Sequence, residues 1–392
     1  MGLYLPIVVI LLNSVCRHVI EHHLWTVISD AMDFIHKHGI EVIQFLQNEF
    51  PEHSGLMQTM SRMGDPRAAF LIYFPVAYCL HKRTGIQVLW LACLSEWMNN
   101  LLKWVMHGER PYWWVRECGH YPSNSTIVQQ FPLTCETGPG SPSGHGMVTA
   151  SVVYYIVLAV IRIHKPRLWI QAIIWSVFVW FLIAVNVSRL YIATHFPHQV
   201  IFGTFIGIAI TVFTEQFKLP DARYNIPIAT SVIIPLSCIL TFYVFKMIGL
   251  DPQWSITLAT KHCADPSWIH LDTTLFNAVY RDAGGILGLG LFHYVISEMS
   301  IPRFHASENM TSLPYFNRLI HVGLTLFLCQ MAENVKPGQY SAIFYYFFTC
   351  LKFAVLTFTT MSVTNVFSTG KIPPGSETII AEERDDDCDK PN

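Results

Sequence analysis

Apolar residues along this chain gather in long, nearly unbroken blocks, not in the strict alternation of a half-buried strand or the spacing of a helix wetted on one face. A helix needs about 20 mainly apolar residues to cross roughly 30 Å of hydrocarbon. Five blocks meet that length cleanly: Gly144 to Ile163, Leu168 to Val187, Val200 to Phe217, Ile226 to Phe245 and Tyr340 to Met361. Four more run short or carry a charge: Ala68 to His81, Gln87 to Met106, Gly284 to Ile296 and Tyr315 to Met331. The pattern predicts an all-α polytopic membrane protein with about nine transmembrane helices.

Lysine and arginine in the short connections set the orientation, because cytosolic loops are enriched in both. Threading nine spans puts Lys82, Arg83, Arg162, Lys165, Arg167, Lys218, Arg223, Arg303 and Arg318 on one side, the expected cytosolic side. The N-terminus, the loop from His107 to Ser143, the turn from Ser188 to Pro197 and the loop from Leu250 to Ala283 then face the other side, the expected lumen. Composition agrees with a membrane setting: 52% of residues are hydrophobic and 13% charged, against about 25% charged in an ordinary soluble domain. A net charge of -2 offers no basic field for nucleic acid, and ten cysteines without CxxC pairs suggest neither a zinc site nor a dense disulfide framework.

Three parts follow: residues 1–30 as an N-terminal extension, 31–370 as the membrane domain and 371–392 as an acidic, solvated, disordered cytosolic tail. The extension holds a short apolar run, Leu3 to Leu12, readable as a cleaved signal peptide or as a membrane-touching helix.

Three segments put cationic or imidazole groups where predicted spans meet the lumen, a costly position unless they face water or a ligand. They are Lys103 through Arg110-Pro111, Pro142-Ser143-Gly144-His145, and Ser188-Arg189 through His195. Singly, each has an ordinary reading: a snorkelling anchor, a structural histidine, a helix cap at Ser143. Together they fit a phosphate monoester, which carries close to two negative charges and hydrolyses extremely slowly unaided. Arg110 and Arg189 offer planar forks to nonbridging oxygens, Lys103 a compact charge, and the helix start at Ser143 and Gly144 backbone N–H groups. Two histidines complete a covalent route without a metal, one attacking phosphorus and the other protonating the leaving alcohol. The residues alone do not divide those roles.

At this point the segments resemble the signature of the type 2 phosphatidic acid phosphatase superfamily: lysine, six residues, Arg-Pro; Pro-Ser-Gly-His; Ser-Arg, five residues, His. The resemblance implies that His195 is the phosphohistidine-forming nucleophile and His145 the general acid, with Lys103, Arg110 and Arg189 on the phosphoryl oxygens. Arg110-Pro111-Tyr112-Trp113-Trp114-Val115, the run from Cys135 to His145, His195-Phe196-Pro197-His198-Gln199-Val200, and Trp268-Ile269-His270 with Asp272-Thr273-Thr274 narrow the likeness to glucose-6-phosphatase catalytic subunits, from about Met32 to about Val366. That resemblance implies a nine-span endoplasmic reticulum protein with a lumenal site that releases glucose and phosphate from glucose 6-phosphate, the terminal step of gluconeogenesis and glycogenolysis. It also implies no cofactor, and functional coupling to a glucose 6-phosphate transporter.

The superfamily usually carries Asp four residues after its nucleophile, where this chain has Gln199. Asp65, at the lumenal entrance of the first span, is the candidate for an orienting carboxylate; capping a helix is its other reading. The tail lacks the dilysine retrieval signal of the liver-type member. Asn124-Ser125-Thr126 is an expected glycosylation acceptor in the lumenal loop, whereas Asn309-Met310-Thr311 falls in a cytosolic loop and should carry no glycan. Cys118 and Cys135 share an oxidising compartment and are candidates to pair. Two other functions use the same residues: a lipid phosphate phosphatase fed from the bilayer, and a catalytically weak phosphate-binding membrane scaffold.

Overall fold

The computed structural model describes residues 29–122, 127–298, 315–335, 337 and 341–369. The N-terminal run up to residue 28, Asn124, Asn309 and the acidic tail lie outside the described residues, and with them the expectations placed there. Among the described residues the regular elements are helices, with no strand. They are α1 (residues 29–49), α2 (Ser54–Met63), α3 (Pro66–Leu80), α4 (Lys82–Met106), α5 (Pro111–Glu117), α6 (Gly144–His164), α7 (Leu168–Tyr191), α8 (Pro197–Thr214), α9 (Asn225–Met247), α10 (Trp254–His262), α11 (Leu275–Glu298), α12 (Tyr315–Asn334) and α13 (Ala342–Thr369).

Among the described residues, each of the nine segments read from the pattern is helical over most of its length. Among the described residues α6, α7, α8, α9 and Ala342–Asn365 of α13 are long and apolar enough to cross a membrane. The other four, α3, α4, α11 and α12, miss that mark, so the count of nine spans does not stand on length and composition. In α4 and α11 the reason is visible: Glu96, Lys103, Arg281 and Asp282 are buried inside the bundle. Charged groups at membrane depth face a protein interior or a water-filled cleft, because lipid cannot solvate them.

Small residues set the closest approaches. A Cβ on Gly207 of α8 would lie 2.1 Å from the Met147 carbonyl oxygen of α6, and one on Gly203 would lie 2.5 Å from that of Ser143. This is small-xxx-small packing, and it seats α8 directly on the first turn of α6, where the Ser-Gly-His segment begins. Gly284 and Gly288 pack α11 onto α13 in the same way.

At one end of the bundle the exposed ion pairs Arg83–Asp221 and Arg162–Glu215 join loops and helix termini. At the other end α1, α2, α5 and α10 form a cap. Its core contains Ile40, Ile43, Tyr112, Trp113, Trp114 and Phe196. The helical spacing of His36, Ile40, Ile43 and Gln47 turns one face of α1 inward, and Gln47 donates to the carbonyl oxygens of Gln129 and Tyr191. The expected Cys118–Cys135 pairing is corrected here: Cys135 is disulfide-bonded to Cys263, and Cys118 is free. The loop before Cys135 folds against the end of α10, where Gln130 bonds the His262 carbonyl and the Ala264 N–H, bringing Cys263 alongside.

Candidate active site

The three signature segments meet at the capped end. Lys103 lies in the last turn of α4, and Arg110 immediately precedes α5. Arg189 closes α7, and His195 sits in the short connection to α8. Lys103, Arg110, His145, Arg189 and His195 are all buried. Backbone carbonyls aim the Arg110 fork: Nε donates to Gly138 (2.7 Å), Nη2 to Pro139 (3.2 Å) and Nη1 to Thr194 (3.2 Å). Arg189 donates from Nη1 to Ser61 Oγ of α2 at 2.7 Å.

Ser143 caps α6, its hydroxyl accepting from the Gly146 N–H. Its own N–H is taken by the Gln199 carbonyl oxygen, so it does not supply the backbone donor expected of it. Gly144, one residue on, lines the adjoining cleft. Asn99 Nδ2 holds the preceding Pro142 carbonyl at 3.1 Å.

Two oxygens face His195 Nδ1: the Gly140 carbonyl at 2.8 Å and Gln199 Oε1 at 3.2 Å. A carbonyl can only accept, so Nδ1 carries the proton and Nε2 keeps its lone pair, with Arg110 Nη1 at 3.5 Å. Burial, then Arg110 and Arg189, hold the imidazole well below its ordinary pKa, leaving it neutral. Gln199 is fixed in turn, its Nε2 donating to the Glu109 carbonyl (2.7 Å) and its Oε1 accepting from the Phe196 N–H (3.1 Å). The expected role of Asp65 is corrected: the contacts to His195 Nδ1 come from a backbone carbonyl and an amide. Asp65 caps the start of α3 and pairs with Arg67. Burial raises its pKa, but Arg67 more than reverses this and keeps it ionised.

Glu136 escaped the sequence reading. Its Oε2 lies 3.0 Å from Arg110 Nη2, its Oε1 pairs with Arg189 Nη2, and Oε1 lies 3.9 Å from His145 Nδ1. Burial pushes this carboxyl up, yet Arg189 and Arg110 together hold it well below the usual carboxylate range. One signal was available: Glu136 is the only Asp, Glu, Lys or Arg between Glu117 and His145.

Beside the cluster lies a cleft with about 560 Å³ of open volume, bordered by Lys103, Glu136, Gly144 and His145 and by the polar groups Asn99, Asn100, Asp272 and Thr274. A second lobe, about 480 Å³, shares Glu136 and His145 and reaches Arg189, Trp268 and His270. Arg67 bridges Asp65 to Asp272 and ties the Asp272-Thr273-Thr274 segment to the rim. Among the described residues no group of three or more His, Cys, Asp or Glu side chains is disposed to hold a metal ion.

The model of the PAP2 superfamily matches residues 84–220, which contain all three signature segments. Glucose-6-phosphatase 2 of Mus musculus is 36% identical over 331 residues, covering 81% of this chain and 92% of its own. Glucose-6-phosphatase 3 of Bos taurus is 35% identical over 349 residues, covering 86% and 97%. Glucose-6-phosphatase catalytic subunit 1 of Rattus norvegicus is 34% identical over 353 residues, covering 85% and 95%. No solved structure matches the chain significantly.

Proposed function

The chain belongs to the glucose-6-phosphatase family of the PAP2 superfamily, and from that premise we propose that it hydrolyses glucose 6-phosphate to glucose and phosphate through a phosphohistidine on His195. The observation that carries the reading is the joining of two surroundings: a buried cluster of Lys103, Arg110 and Arg189 at the histidines, and a polar cleft lined by Asn99, Asn100, Asp272 and Thr274 beside it. The cluster suits a phosphoryl dianion, and the cleft suits a leaving group rich in hydroxyls.

In this mechanism Arg110, Arg189 and Lys103 hold the nonbridging oxygens, and Gly144 lets the phosphoryl group approach the start of α6. His195 Nε2 attacks phosphorus while Nδ1–H stays bound to the Gly140 carbonyl, which stabilises the imidazolium character that develops. His145 gives its proton to the departing sugar oxygen, then takes one from the water that cleaves the phosphohistidine. Phosphate leaves, and both imidazoles return to their starting states.

The proposed setting is the endoplasmic reticulum membrane, with the capped end in the lumen, Asn124 glycosylated, the C-terminus cytosolic, and substrate delivered by a glucose 6-phosphate transporter. The Cys135–Cys263 disulfide supports an oxidising compartment at that end. Purified protein assayed in parallel on glucose 6-phosphate, mannose 6-phosphate and a phosphatidic acid tests the activity. Turnover confined to the lipid would replace the sugar reading, and none on any of the three would favour the scaffold.

A further inference from the structure

Substrate entering from the cleft meets Glu136 before it meets His195. Glu136 and His145 border both lobes, whereas Arg110 and His195, each 0% exposed, border neither. The carboxylate engages the same Nη2 atoms of Arg110 and Arg189 that a phosphoryl group needs. We propose that Glu136 is a resident counter-anion of the phosphate cradle, displaced from the two guanidinium forks when the substrate's phosphoryl group binds and returning to them to expel product phosphate. The proposal rests on the assignment of Arg110 and Arg189 to the phosphoryl oxygens.

The local structure allows such a swing. The Glu136 backbone is pinned, since its carbonyl accepts from Tyr112 Oη at 3.0 Å and its N–H donates to the Thr134 carbonyl at 2.8 Å. The neighbouring Cys135 is tied to Cys263. Only the side chain is free to turn, and at 18% exposure it already reaches the cleft. A phosphate dianion outcompetes a carboxylate for two guanidinium forks, having more charge and more acceptor oxygens. Lys103, Arg110 and Arg189 supply three positive charges against one on Glu136 and close to two on a phosphate monoester, so the occupied site approaches neutrality with Glu136 still nearby. The advantage is catalytic. Forks without a competitor would hold substrate and product phosphate alike, and such uniform binding does not raise turnover.

The test is binding of inorganic phosphate to the purified full-length protein, read by the phosphate-dependent rise in melting temperature and by inhibition of turnover. Glu136→Gln should bind phosphate at least about 10-fold more tightly than wild type, the scale of one charge-assisted contact that no longer has to be displaced. Arg189→Ala should bind it more weakly. Should Glu136→Gln fail to fold, Glu136→Asp serves, since its shorter carboxylate cannot span both forks and phosphate should again bind more tightly. Unchanged or weaker binding in these Glu136 variants, with Arg189→Ala weakened, overturns the counter-anion and leaves the cradle standing. Unchanged binding in Arg189→Ala overturns the cradle itself.

Discussion

Replacing Gln199 with Leu tests how the His195 ring is held. The change removes one of the two acceptors at Nδ1 (Oε1, 3.2 Å) and leaves the closer Gly140 carbonyl (2.8 Å). It also strips the Phe196 N–H and the Glu109 carbonyl of buried partners. Each orphaned group costs about 1–3 kcal/mol, so for the two a stability loss of roughly 2–6 kcal/mol is expected. Because one acceptor remains, kcat should fall about 10- to 100-fold, the usual scale for losing an orienting contact. Gln199→Glu is the counterpart: it keeps the acceptor and sets a negative charge beside the imidazole, raising its pKa and moving the acid limb of kcat/KM upward. Purified variants are compared for melting temperature, kcat and pH profile on glucose 6-phosphate. Wild-type kcat in Gln199→Leu would refute the orienting role. Equal destabilisation of both variants with an unmoved acid limb would reduce Gln199 to a structural part.

Three further outcomes are expected. His145→Ala should lose most turnover on a sugar phosphate yet keep more on an ester whose leaving group has a low pKa, and equal losses on both would count against a general acid. Arg189→Lys should lower kcat/KM about 100-fold, because one ammonium cannot engage Ser61 and an anion through separate nitrogens as the fork does; near-normal activity would show that charge alone suffices. His36 is stacked on Phe196 with ring centroids 4.3 Å apart; burial, then His198, lower its pKa from 6.5 to about 4. The unfolded chain therefore takes up this proton first, and up to roughly 3 kcal/mol of stability, present above pH 6.5, is lost as pH falls towards about 4. His36→Phe keeps the stack and should flatten that part of the melting profile; an unchanged slope would exclude His36 as its source.

Apolar blocks exposed the membrane helices because lipid demands long runs of such residues, and the spacing within the three segments exposed the cationic cluster. Helices with polar interiors were harder to delimit: Glu96, Lys103, Arg281 and Asp282 lower the apolar content of α4 and α11 while facing inward. Glu136 lies inside the Cys135 to His145 run, yet one acidic residue in a loop carries no period that assigns it a role, and that role appears only once Arg110 and Arg189 converge from segments far apart in sequence. Gln199 was visible as a departure from the superfamily pattern, but a missing carboxylate suggested a substitute carboxylate at Asp65. The actual second partner, the Gly140 carbonyl, is a backbone atom that no residue type reveals. The partner of Cys135 depended in the same way on how the Gln130 segment folds against α10.

The central claim is that phosphorus becomes bonded to His195 during turnover. Protein mixed with phosphorus-labelled glucose 6-phosphate and denatured rapidly without acid should carry an acid-labile, alkali-stable label that maps to His195, and His195→Ala should lose both label and turnover. Label persisting on the His195→Ala protein, or full turnover without it, would contradict the account.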